Sequence, residues 1–68
     1  MKIEFEPTPF SVDEWWAGEI EVNKEEKYPF TLFASNDNGI LEVTWTEKTP
    51  SKNIIALETR IKQNYLQL

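Results

Sequence analysis

Polar and apolar positions alternate strictly over residues 1–6: Met1, Ile3 and Phe5 fall on one side, Lys2, Glu4 and Glu6 on the other. This is the pattern of a strand with one wet face. Pro7-Thr8-Pro9 ends it, because proline has no N–H to donate and restricts the residue before it. Alternation returns after Gly18, with Ile20 and Val22 directed to a core and Glu19 and Glu21 to water. The run Asn23-Lys24-Glu25-Glu26-Lys27 has no apolar residue and reads as a solvated connection.

The central stretch is a hairpin. Tyr28 to Ala34 and Ile40 to Thr46 are rich in aromatic and β-branched residues and flank Asn38-Gly39, the pair a two-residue type I′ turn favours. Counting outward from that turn sets Asp37 opposite Ile40, Ala34 opposite Val43 and Leu32 opposite Trp45 on one face. Phe33 opposite Thr44 and Thr31 opposite Thr46 fall on the other.

Between the first two strands, Ser11 with Glu14 forms a capping-box pattern. Phe10 with Trp15 is a possible hydrophobic staple, and Gly18 would follow the helical end. A short helical turn followed by a strand from about Ala17 is the expectation, with a strand beginning as early as Glu14 as the alternative. Past the hairpin, Thr49 fits an N-cap and Pro50 the first helical position. Ile54, Leu57, Ile61, Tyr65 and Leu68 then recur at helical spacing, with Ile55 and Leu66 widening the stripe. Lys52, Glu58, Arg60, Lys62, Gln63 and Gln67 form the expected exposed face, with Glu58–Lys62 an i, i+4 pair.

These elements predict an α+β fold: a small two-layer domain with a four-stranded, mostly antiparallel sheet (β-β-β-β-α) and a C-terminal helix packed on one face. The class is common among small bacterial and phage proteins. Residues 1–68 are expected to form one domain. A chain of this length buries only about 60% of its unfolded surface. Cysteine and histidine are both absent, so stability must come from the aromatic and aliphatic core or from self-association.

Charge changes the picture of partners. The formal net charge is −5, divided as −8 over residues 1–47 and +3 over residues 48–68. Net acidity disfavours a phosphate backbone and an anionic membrane surface, both of which need clustered lysine and arginine. No apolar h-region or membrane-length apolar run is present. A soluble, cytoplasmic protein with no nucleic-acid or membrane partner is expected, and the absence of cysteine fits a reducing compartment.

Catalytic candidates are few. Histidine and cysteine, the commonest general base, nucleophile and transition-metal ligands, are missing, and there is no phosphate-binding glycine loop or nucleophile elbow. Asn36-Asp37-Asn38-Gly39 superficially resembles a calcium loop. Aligning Gly39 with that loop's glycine sets Ala34 and Trp45 at ligand positions, which excludes it. No enzyme, cofactor or metal is therefore expected.

The remaining candidate chemistry is a surface. Glu4, Glu6, Glu19, Glu21 and Glu42 gather on the outward sheet face with Phe33 and the threonines, while Trp15 and Tyr28 are candidates for partial exposure. Adjacent first and second strands would bring like charges together. A plain solvated face, a first strand lying instead beside the last, and a basic partner or divalent cation are the competing accounts. The expected function is a non-enzymatic protein-interaction module that binds a protein partner or itself through this face or an edge strand. Its candidate surface is Trp15, Glu19, Glu21, Tyr28 and Phe33. The alternatives are a small-ligand or carbohydrate binder that stacks its ligand on Trp15 and Tyr28, and an acidic decoy of a nucleic-acid-binding protein.

Overall fold

The computed structural model describes residues 1–7, 14–35 and 39–67. Strands β1 (Lys2–Pro7), β2 (Glu14–Glu21), β3 (Lys27–Ser35) and β4 (Ile40–Trp45) precede one helix, α1 (Ile54–Leu66). The sheet order is β1-β2-β3-β4 and each neighbouring pair is antiparallel. Sheet and helix make the two-layer α+β arrangement that the alternation and the helical stripe predict.

The core lies between the layers. Alternate residues of β3, namely Tyr28, Phe30, Leu32 and Ala34, are buried. Ile20 from β2 and Leu57 and Ile61 from α1 meet them, with Ile3, Phe5, Trp16, Val43, Trp45 and Tyr65 packed around. Phe5 stands edge-on to Trp16, Phe30 and Tyr65 at centroid distances of 6.3, 5.7 and 6.2 Å. Those edge-to-face contacts bring the end of the helix onto the first two strands.

Four local expectations are corrected. β2 begins at Glu14 rather than about Ala17, so Trp15 and Trp16 are strand residues that pair with Phe33 and Leu32. The ladder to β3 supplies partners along the whole segment, which a single capped turn does not. Ser11 and Phe10, needed for the cap and staple, lie outside the described residues. Gly18 ends no helix. It sits mid-strand, where an added Cβ would come within 2.5 Å of both the Glu4 carbonyl oxygen and the Phe30 ring.

The hairpin register is the second correction. Ser35 pairs with Ile40, Ala34 with Leu41, Leu32 with Val43 and Phe30 with Trp45. Four residues therefore separate the last paired positions rather than two, and Asp37 and Asn38 lie outside the described residues. Gly39 has φ of 66° and donates its N–H to Ser35 O at 3.0 Å, closing the loop. Because the slip is two residues, each side chain keeps its predicted face.

Third, α1 starts at Ile54, so Thr49 is not its cap and Pro50 is not its first residue. Pro50 is buried in the connection. The chain turns into the helix at Asn53, whose φ of 58° is left-handed and whose carbonyl accepts the first helical bond from Leu57 N–H at 2.9 Å. Fourth, Glu58 does not belong to a solvent face. It is half-buried and accepts a bond from Trp45 Nε1. Ile55 and Leu66, by contrast, are exposed rather than part of the stripe, and Leu68 lies outside the described residues.

Candidate interaction surface

The face of the sheet away from α1 is built by the odd residues of β2 and β3 and the even residues of β1 and β4. Its cross-strand rows follow from the register. Lys2, Glu21 and Lys27 form one row, and Glu4, Glu19 and Pro29 the next. Glu6, Ala17, Thr31 and Thr44 form the third, and Trp15, Phe33 and Glu42 the fourth. Ser35 and Ile40 close the series. β1 thus lies beside β2, not beside β4, and Glu4 directly opposes Glu19.

The two charged rows behave differently. Glu21 sits between two lysines, so opposite charges face each other across the ladder. Lys2 Nζ also reaches Glu4 Oε1 at 3.0 Å, and that bond raises the lysine pKa. Glu4 and Glu19 are like charges in register, an arrangement that is mildly destabilising. Between Glu4, Glu6 and Glu19 lies a shallow groove of about 240 Å³ that Ala17 and Gly18 also line. Among the described residues, no three acidic side chains converge closely enough to hold a metal ion.

At the other end of this face the polarity changes. Trp15 is 40% exposed and leans on Phe33 at a centroid distance of 4.8 Å, their planes inclined by 43°. Ile40 is 41% exposed in the adjoining row and Glu42 flanks Phe33. The result is an aromatic and aliphatic patch with the Glu42 carboxylate at its border.

Four of the five predicted surface residues, Trp15, Glu19, Glu21 and Phe33, share this face. Tyr28 does not. It is on the inward face, 9% exposed, in edge contact with Trp45 and with Lys48 Nζ 5.1 Å above its ring. Its position follows from the even parity it shares with Phe30 and Leu32. Trp15 and Tyr28 therefore lie on opposite sides of the sheet and cannot flank one ligand. Ile40 and Glu42 join the surface instead. Their place was readable from alternation, but their proximity to Trp15 required the register.

The Tyr28 hydroxyl has a structural partner. It donates to Glu26 Oε2 at 3.1 Å, and Asn23 Nδ2 donates to Glu26 Oε1 at 2.9 Å. The Asn23 bond, then the Tyr28 bond, hold the Glu26 carboxyl below its usual range. Burial, and then the bond to Glu26, push the Tyr28 hydroxyl up. Asn23 Oδ1 also accepts from the N–H groups of Glu25 and Glu26, both at 2.9 Å, which folds the β2–β3 connection. A cleft of about 500 Å³ adjoins this network, with Val22, Lys52, Asn53 and Leu57 among its walls.

No helix among the described residues is long and apolar enough to cross a membrane. Compared with protein-family models, curated proteins and solved structures, the chain shows no match.

Proposed function

We propose that this chain is a non-enzymatic interaction module whose solvent-facing sheet layer binds a basic protein surface. The observation that carries the reading is the Trp15–Phe33 pair, packed at 4.8 Å on the face opposite the helix and bordered by the Glu42 carboxylate. The core does not use this pair. An exposed aromatic face next to a carboxylate suits arginine, whose planar guanidinium stacks on rings and forms paired bonds to carboxylates. A cytoplasmic setting without nucleic-acid or membrane contact goes with this reading, as does the absence of histidine and cysteine chemistry.

The test is affinity capture from a cell lysate, read by mass spectrometry, with Trp15→Ala and the double variant Glu19→Lys, Glu21→Lys in parallel. A protein retained by the parent chain and lost by both variants, each with an unchanged circular dichroism spectrum, is the expected result. Equal retention by the folded variants overturns the assignment of this face.

A basic nucleic-acid-binding protein is one partner of the required charge. Its affinity would fall steeply with added salt, because exposed ion pairs are screened. Salt-insensitive binding would exclude that partner class.

A further inference from the structure

The hydrogen-bond pattern distinguishes the two edges of the sheet. Thr46 N–H donates to Pro29 O at 3.2 Å, continuing the β3–β4 ladder. In an antiparallel pair, doubly bonded positions alternate with unbonded ones. Thr44, Glu42 and Ile40 therefore bond to Thr31, Phe33 and Ser35, and the backbone N–H and C=O groups of Leu41, Val43 and Trp45 point away from the sheet. Among the described residues no loop or side chain bonds to them. Likewise Val22 N–H donates to Glu26 O at 2.9 Å, which directs the odd residues of β2 to β1 and leaves Ile3, Phe5 and Pro7 with the outward groups of β1.

The edges differ in chemistry. β1 alternates Lys2, Glu4 and Glu6 along its exposed side and ends in a proline without an N–H, features that discourage pairing. β4 has no proline and one charged residue, Glu42. It is the open edge.

We propose that β4 pairs antiparallel with β4 of a second copy about a two-fold axis at Val43, joining two four-stranded sheets into one. Charge and bonding select this register. A two-fold axis at Val43 pairs all three outward positions, Leu41 with Trp45, Val43 with Val43, and Trp45 with Leu41. It places Glu42 opposite Thr44 of the other copy. An axis at Glu42 would set two carboxylates directly opposite each other, and one at Thr44 would leave Leu41 unpaired. On the inner face the half-buried Leu41 and Trp45 side chains of the two copies become neighbours. Both Trp15–Phe33 pairs then lie on the same side of the joined sheet, so the face becomes bivalent. The dimer does not depend on that face having a basic partner.

A six-residue seam is smaller than a standard stable interface, so the association is weak and concentration-dependent. Sedimentation equilibrium of the free chain from micromolar to millimolar concentration measures it. Thr44→Glu is the disruptive variant, since Thr44 is exposed on the outer face. It sets a carboxylate opposite Glu42 at two places in the seam and is expected to weaken association about tenfold. Adding Glu42→Lys converts both contacts to opposite charges and is expected to restore association. Circular dichroism confirms that each variant is folded. A parent chain that stays monomeric at millimolar concentration overturns the proposal. So does a folded Thr44→Glu variant that associates unchanged, or a folded double variant that fails to recover.

Discussion

Trp45 Nε1 donates a 2.9 Å hydrogen bond to Glu58 Oε2, and these two residues, thirteen apart in the chain, tie the last strand to the helix. The indole is half-buried, so its N–H needs a partner, and a carboxylate is a strong acceptor. Glu58→Ala is expected to destabilise the fold by about 1–2 kcal/mol. Glu58→Gln, which keeps an acceptor oxygen, should cost less. Urea unfolding followed by tryptophan emission measures both, and equal stability of Glu58→Ala and the parent would show that the bond contributes nothing net.

The two glycines fail for different reasons when substituted. At Gly18 a methyl group meets backbone as well as the Phe30 ring. Gly18→Ala is therefore expected to cost about 1–3 kcal/mol through overpacking. At Gly39 the space is open and φ is +66°, so Gly39→Ala carries only the left-handed backbone cost of about 1–2 kcal/mol. Gly39→Asn should be milder, because asparagine tolerates that region. Thermal unfolding of the three variants separates steric from conformational causes.

Glu26 makes the β2–β3 connection sensitive to acid. Its carboxyl is held below the usual glutamate range by the bonds from Asn23 and Tyr28. The stability contributed is complete above the ordinary carboxylate range and is lost as pH falls through the lowered value. A carbon-detected NMR titration of Glu26 should show a midpoint below that of an unbonded glutamate. Asn23→Ala should move it upward. An unmoved midpoint would mean that the Asn23 bond is not what holds it down.

Stability and recognition are separable on the outer face. Glu19 opposes Glu4, so Glu19→Lys replaces a like-charge pair by an opposite one and should stabilise by about 0.2–1 kcal/mol. Glu21 lies between Lys2 and Lys27, so Glu21→Lys turns two opposite-charge pairs into like-charge pairs and should destabilise by about twice as much. In the double variant these effects partly offset each other, leaving a small net destabilisation while the charge of the surface changes. Chemical denaturation of the two single variants checks the signs. A Glu19→Lys variant no more stable than the parent would show that the Glu4–Glu19 opposition is fully screened.

Alternation alone was enough to assign β1, β3 and β4, and to divide Phe33 from Leu32 and Glu19 from Ile20, because side-chain direction along a strand is a local property with period two. The helical stripe of Ile54, Leu57, Ile61 and Tyr65 was legible for the same reason, its period being local too. Three of the five candidate surface residues, Glu19, Glu21 and Phe33, followed directly. What residue order left open was settled by partners distant in the chain. Trp15 and Trp16 satisfy a short capped turn as well as a strand until Phe33 and Leu32 are set beside them. The Asn38-Gly39 pair favours a two-residue turn. The packing of Phe30 against Trp45, and of both against the helix, instead holds a register two residues away that leaves every face unchanged. Glu58 looked like a solvent residue until Trp45 required an acceptor. Faces are written in the local sequence. Register, strand order and the pairing of polar groups across layers belong to the tertiary structure, because each depends on which distant segments exclude water together.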